Sequence, residues 1–251
     1  MIAAVSQLQL GLTLGGRPAV ASRAGAVNMK VGLVYSTTTG NTETVRRAAV
    51  PSCWLSAAAA PLEGLLSSVQ LASADFARAQ FSQRSERAAC IPFQVAGYIK
   101  DICGDAVEGP NDIADVTGDI AGYDGIICGA PTWHTGADTE RSGTEWDSFI
   151  YGDLTSMDLK GKKVAIFGLG DQSGYSDNFC DAMDELKSCF ESVGAEVIGA
   201  VSTDGYEHND SKSIAGGKFV GLACDEDNQP DMSEDRVKAW VGQIKAEGMP
   251  L

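Results

Sequence analysis

Five short apolar runs punctuate the chain. They are "MKVGLVYS" (29–36), "DGIICGAP" (124–131), "KKVAIFGLG" (162–170), "AEVIGAVST" (195–203) and "KFVGLAC" (218–224). Each is rich in aliphatic residues and most end at a turn, the form of a buried strand. Between them the apolar period becomes helical. Phe179, Met183, Leu186 and Phe190 fall at i, i+4, i+7 and i+11. Val237, Trp240, Val241 and Ile244 fall at i, i+3, i+4 and i+7, and Val95, Ile99 and Ile102 at i, i+4 and i+7. Strands alternating with helices predict an α/β domain whose parallel sheet carries helices on both faces. Ligands of such sheets sit beyond the carboxyl ends of the strands. The loops after Tyr35, Ala130 and Phe167 are therefore the places to look for chemistry.

The first of these loops is "STTTGNT", Ser36 to Thr42. Hydroxyls, Gly40 and Asn41 at a helix start converge backbone N–H groups on an anion. The loop lacks the Lys of a Walker A motif and is not GxGxxG; neutral donors of this kind suit one terminal phosphate. A plain capped turn uses the same residues. The second loop, "PTWHTGADTE" (131–140), presents a Trp that can stack on a flat ring or simply pack. The third, "GLGDQSGYSDNF" (168–179), offers Tyr175 as a second aromatic wall and Asp171 for a polar edge, or is a Gly-rich turn. Together the three describe one site for a mononucleotide with a broad planar ring. No Ser-His-Asp set or poised His base accompanies them, so the chemistry would belong to the ligand.

Composition narrows the partners. Residues 1–95 hold 8 Lys/Arg and 4 Asp/Glu, whereas residues 96–251 hold 11 and 30. Such an acidic field repels nucleic acid and steers basic protein partners. The 7 cysteines show no CxxC and read as reduced thiols. Neither His134 nor His208 has neighbours at metal-ligand spacing, so no metal site is expected. No run of 18 uncharged apolar residues occurs, and no membrane insertion is expected. Residues 1–28 hold two Arg and no acid, the style of a disordered transit peptide.

One block breaks the pattern. Residues 45–94 contain 12 Ala, no Tyr and no Asn, and Pro51 would end a helix begun at Asn41. Joining Thr44 to Val95 gives "GNTETVAGYIKDICGD", a continuous amphipathic helix start. Val45-Arg46 can be encoded in the form of a splice donor, and Pro92-Phe93-Gln94 in the form of an acceptor. The block is expected to be a retained in-frame intron of low order, interrupting a single domain over 29–251.

The segments "KVGLVYSTTTGNTETV" (30–45), "GAPTWHTG" (129–136), "GLGDQSGYSDNFCDA" (168–182), "STDGYEHNDSK" (202–212) and "GKFVGLACDEDNQPDMSEDRVKAWVGQIK" (217–245) resemble the long-chain flavodoxins of cyanobacteria and algae. The resemblance implies a doubly wound five-stranded parallel sheet of order 2-1-3-4-5, with 202–223 as the extra loop that interrupts the last strand. It implies FMN as cofactor. Ser36, Thr37, Thr38, Thr39, Gly40, Asn41 and Thr42 would hold its phosphate. Trp133 would stack on one face of the ring and Tyr175 on the other. Pro131, Thr132, Thr135, Gly136, Gly170, Asp171, Asn178 and Asp225 would contact the ribityl chain or ring edge. A carbonyl of the peptide around His134 would accept a hydrogen bond from the reduced flavin N5–H. Cys180 stands where the family pattern carries Gln. The implied function is that of a soluble, monomeric one-electron carrier in the chloroplast stroma, not an enzyme. It would pass electrons from photosystem I to ferredoxin–NADP reductase when iron is scarce. The alternative is an FMN-dependent quinone or flavin reductase of the same fold. If residues 1–28 are not a transit peptide, the location would be cytoplasmic.

Overall fold

The computed structural model describes residues 29–36, 92, 94–116 and 120–251. Three sequence expectations therefore fall outside the described residues: the 1–28 leader, Thr37–Thr42 of the first loop, and 45–91 of the inserted block.

β1 (Val31–Tyr35) is buried along its whole length. It pairs in parallel with β2 (Val107–Asp112) on one side and β3 (Gly125–Pro131) on the other. β4 (Lys163–Leu169) follows β3, and β5 (Glu196–Ile198) follows β4, again in parallel. The order β2-β1-β3-β4-β5 is the doubly wound order expected. The fifth position is built from two pieces, as expected of a last strand interrupted by an extra loop. β5 pairs with Lys163–Ala165, whereas β9 (Leu222–Cys224) pairs with Phe167–Leu169. The runs at 195–203 and 218–224, read as separate strands, thus share one place on β4. Between them β6 (Val201–Ser202), β7 (Ile214–Ala215) and β8 (Lys218–Phe219) make a small antiparallel sheet of order β6-β8-β7.

β2 was not expected, because "VEGPND" carries none of the signs of a buried strand. It lies at the sheet edge, where Gly and Pro are tolerated, and only its end residues Val107 and Asp112 are buried.

Alternation along the strands sends side chains into two cores, one on each face. Val31, Leu33, Tyr35, Ile127, Ala165 and Phe167 enter one of them. Helix α1 (94–103) covers it through Val95, Ala96 and Ile99. Ile102, expected on that face, is 40% exposed, and Cys103 packs inward instead. The stripe is centred towards Ala96, which leaves Ile102 at its margin. The short α2 (Ile113–Val116) follows β2. The opposite core receives Val34, Ile126, Cys128, Val164 and Ile166. It is covered by α3 (Glu145–Tyr151) through Trp146, Phe149 and Ile150, and by α4 (Ala182–Ser192) through Met183, Leu186 and Phe190. Phe179 is buried there as well, but from the loop before α4 and not from the helix itself. α5 (Pro230–Ala246) closes the first core with Val237, Trp240, Val241 and Ile244.

Local chemistry fits these elements. Thr144 caps α3, its hydroxyl accepting from the Trp146 amide at 3.3 Å. Pro230 opens α5, where its missing N–H costs nothing. Gly129 in β3 is required because a Cβ there would lie 1.9 Å from Cζ of Phe167. Among the described residues no helix is long and apolar enough to cross a membrane.

Candidate functional site

Because all strands of the main sheet are parallel, their carboxyl ends share one edge. Pairing runs one residue past β1, β3 and β4. The Ser36 amide donates to the Gly129 carbonyl at 3.3 Å, Thr132 to Leu169 at 3.1 Å, and Gly170 to Cys224 at 3.2 Å. Thr132, Gly170 and Asp225 therefore form a row just past Pro131, the last residue of β3, while Ser36 lies two residues further back, beside Ala130. Gly170 admits no side chain, since a Cβ would sit 2.9 Å from the Phe179 ring and 3.0 Å from the Cys180 amide.

The loop after β3 folds back on itself. Trp133 and His134 donate their amides to the carbonyls of Ser142 (3.4 Å) and Arg141 (3.2 Å). His134 Nδ1 lies 2.7 Å from the Glu140 carbonyl, which can only accept, so Nδ1 carries the proton. The His134 carbonyl in turn accepts from Ala137. Gly136 has φ +79° and lies in open space, which fits a turn; Thr135 is half-buried beside it. The Thr132 hydroxyl accepts from the Ala182 amide at 3.1 Å and ties the loop to the start of α4. Trp133, held at its backbone, remains 38% exposed.

The loop after β4 is shaped by Asp171. Its Oδ1 accepts from the amides of Ser173 (3.0 Å) and Gly174 (2.7 Å), an Asx turn, and its carbonyl accepts from Tyr175 at 2.9 Å. Tyr175 is thus presented at the apex and is 52% exposed. Asn178 donates its amide to the Tyr175 carbonyl and its side chain to Asp181. Asp225 acts from beneath. Its carboxylate is completely buried and accepts from the amides of Gln172, Asp227 and Asn228 and from the Asn228 side chain. The same Asn228 amide group reaches Asp171 at 2.9 Å and so ties the β4 and β9 ends together.

Sequence reasoning missed a second clamp on the Tyr175 loop, supplied by the segment between β6 and β7. Asn209 and Asp210 donate their amides to the Ser176 carbonyl, and the Asn209 side chain donates to Asp177 at 3.0 Å. The Ser211 and Ser213 hydroxyls donate to the carbonyls of Phe179 (2.6 Å) and Cys180 (2.7 Å). Cys180 is left-handed at φ +57°, a conformation these contacts hold in place. The signal was present in "HNDSKS" (208–213), short polar side chains that bond backbone in a stretch without periodicity.

His208 of this segment stacks on Phe179 at 5.4 Å and lies 5.2 Å from Phe219. Its Nδ1 is buried without a hydrogen-bond partner among the described residues. Burial pulls its pKa below the ordinary imidazole value, with Asp210 pulling the other way. The fold therefore prefers the neutral ring. That contribution is complete above the unfolded value of about 6.5 and is lost as pH falls towards the lower folded value. Thermal unfolding at about pH 8 and about pH 5.5 checks this, since the two conditions bracket that value. The His208→Phe protein is expected to lose less stability on acidification than the wild type, and equal losses would acquit His208.

Among the described residues no group of His, Cys, Asp and Glu is placed to hold a metal ion. The buried thiols Cys128, Cys180 and Cys224 are pushed upward in pKa, chiefly by burial, and are inert. The edge offers flat aromatic surfaces, backbone polar groups and a row of strand ends. That donor set suits a planar ring with polar rims.

A family model described as flavodoxin matches residues 94–240. The flavodoxin of Synechococcus elongatus is 46% identical over 145 residues, covering 57% of this chain and 82% of that protein. The flavodoxin of Synechocystis is 47% identical over 148 residues, covering 58% of this chain and 84% of that protein. In fold, the chain resembles the crystal structure of Fusobacterium nucleatum flavodoxin bound to flavin mononucleotide. The TM-score is 0.60 at 22% identity, over 87% of this chain and 98% of that one.

Proposed function

Because this chain belongs to the flavodoxin family, an FMN-binding family of electron carriers rather than enzymes, we propose that it binds FMN at the strand-end edge and carries electrons singly between protein partners. One observation carries the placement. Trp133 and Tyr175 stand exposed on backbones locked by hydrogen bonds, at the ends of the adjacent strands β3 and β4. Aromatics held this way are displayed for a ligand and not for the core.

In this reading Trp133 and Tyr175 cover the two faces of the ring and exclude water from it. Thr132, Gly170, Asp171 and Asn178 line its rim, and the hydroxyl-rich segment 36–42 takes the phosphate on neutral donors. A carbonyl of the Trp133–His134 region would accept a hydrogen bond from the flavin N5–H once the ring is reduced. FMN, when bound, supplies the one-electron chemistry. The acid surplus of residues 96–251, 30 Asp/Glu against 11 Lys/Arg, favours basic docking faces and brief encounters through small interfaces. We assign photosystem I as donor and ferredoxin–NADP reductase as acceptor, with residues 1–28 directing the chain to the chloroplast stroma.

We also propose that residues 45–94 are absent from the mature protein. The family match begins at 94, and α1 buries Val95, Ala96 and Ile99 directly after the block. Sequencing cDNA across codons 44–95 decides this: a mature message that keeps the block contradicts it.

The carrier reading is tested by two assays on purified protein. Apoprotein titrated with FMN is expected to quench flavin fluorescence at one site per chain. The holoprotein alone is expected to leave NADPH unoxidised and to accept electrons only when ferredoxin–NADP reductase is added. Sustained NADPH oxidation with a quinone and no partner protein would instead establish a reductase.

A further inference from the structure

Four consecutive amides behind the Trp133 loop are taken by two buried carboxylates. Glu185 accepts from Glu140 (2.6 Å) and Arg141 (2.8 Å), one amide on each oxygen. Asp147 accepts from Ser142 (3.3 Å) and Gly143 (2.8 Å), again one on each oxygen. Asp147 also takes the Ser142 hydroxyl at 2.7 Å, and Glu185 takes the Tyr151 hydroxyl. Glu185 is 5% exposed and Asp147 9%. The run is bracketed by two left-handed residues, Glu140 (φ +57°) and Gly143 (φ +64°), which help turn successive N–H groups towards anions. Glu140 is not glycine, so its conformation persists only while something holds it. Glu185 does so through the Glu140 amide.

The carbonyls of the same peptides face the other way. Arg141 and Ser142 accept from His134 and Trp133, and Glu140 accepts from His134 Nδ1. The three peptides 140–141, 141–142 and 142–143 are therefore relays: the N–H side of each is anchored by a buried anion, and the C=O side meets the His134 ring in the first and the His134 and Trp133 amides in the other two. Hydrogen bonds in such chains polarise one another, so anchoring the N–H strengthens the carbonyl as an acceptor. Arg141 steadies the arrangement from outside, pairing with Asp184 at 3.0 Å and donating to the Ala137 and Asp138 carbonyls. Keeping two acids this close is unfavourable in itself: burial, and in smaller part Glu185, raise the pKa of Asp147.

We propose that Asp147 and Glu185 are positioning residues for the flavin-facing Trp133–His134 segment, acting through the 140–143 backbone to fix the carbonyl that meets the flavin N5. The proposal rests on the FMN reading above. It predicts an effect that depends on the redox state of the cofactor, because the flavin N5 has an N–H to donate to that carbonyl only after reduction.

The test uses full-length, FMN-loaded Glu185→Gln and Asp147→Asn proteins beside the wild type. A Glu191→Gln control, also on α4, removes only an exposed pair with Lys187. Three readouts are followed: FMN affinity of the oxidised protein, the first one-electron midpoint potential, and amide exchange at Trp133 and His134. Each variant is expected to bind oxidised FMN within a few-fold of the wild type. Each should bind the one-electron-reduced cofactor about tenfold more weakly, which lowers the first midpoint by about 59 mV. Exchange at 133–134 should quicken in both variants, and Glu191→Gln should change none of the three. If the charge-removing variants do not fold, Ser142→Ala takes one hydroxyl from Asp147 and should move the midpoint the same way by a smaller amount. Unchanged midpoints and exchange in variants that bind FMN would overturn the proposal and leave the FMN reading intact. A wild type that binds no FMN would defeat that reading first.

Discussion

Replacing Trp133 with alanine is expected to weaken FMN binding by about 10- to 100-fold, since stacking a flat heterocycle on an aromatic contributes about 1–3 kcal/mol. The residue is 38% exposed, and its backbone is fixed by pairing to Ser142. Removing the side chain therefore subtracts a ligand surface without opening a core cavity. Tyr175→Ala is expected to lower affinity by a smaller factor, because Tyr175 stands further into solvent at 52% exposure. Fluorescence titration of the apoproteins gives both numbers. Trp133→Phe should recover much of the loss. A Trp133→Ala curve that overlays the wild type would mean that the ring sits elsewhere, while thermal stability of the apoprotein should hardly change.

The largest effect on stability is expected at Trp146, directly below the site. The side chain is fully buried and meets Phe149 and Phe190 edge-on at 5.7 and 6.2 Å. Its indole N–H donates at 2.8 Å to the Gly129 carbonyl, which also accepts from the Ser36 amide. Trp146→Ala creates a cavity and strips one donor from the β3 end. Truncating a buried Trp costs about 3–5 kcal/mol, which for a domain of this size lowers the melting temperature by about 10 °C. Denaturant melts should show the same loss with little change in slope. A melting temperature within about 2 °C of the wild type would show that the core repacks around the gap. The Trp133 and Trp146 predictions separate ligand surface from scaffold: the first moves affinity and spares stability, the second does the reverse.

How much of this was legible in the sequence depends on what each residue faces. β1, β3 and β4 are central, buried on both faces, and read as continuous apolar runs. β2 was invisible because an edge strand needs little apolar surface, and Gly109 and Pro110 argued against it. The split fifth position was legible only through the family resemblance of 202–223; the two apolar runs by themselves read as separate strands, because only pairing to β4 reveals that they lie end to end. Phe179 kept the helical period of α4 yet packs from the loop, since periodicity marks a buried face and not the point where a helix begins. In the site, Trp133 and Tyr175 stood out as aromatics in loops at strand ends. Their supports did not. Glu185 and Asp147 lie in "MDELK" and "EWDSF", where an acid reads as ordinary helix surface. Their burial follows from the fold of 138–143 over α3 and α4, a tertiary contact with no local signature. Asp225 was read as a ligand-side residue, whereas its carboxylate is enclosed by backbone amides that join two loops.

The central claim is that this strand-end edge holds FMN and splits its reduction into single-electron steps. A spectroelectrochemical titration of the full-length protein reconstituted with FMN tests it most directly. The cofactor is expected to stay with the protein through gel filtration and to take up its electrons in two separate one-electron waves, the second at lower potential than in free FMN. Buried and nearby carboxylates oppose the added negative charge in that second wave. A single two-electron wave at the potential of the free cofactor, or flavin that elutes apart from the protein, would contradict the account.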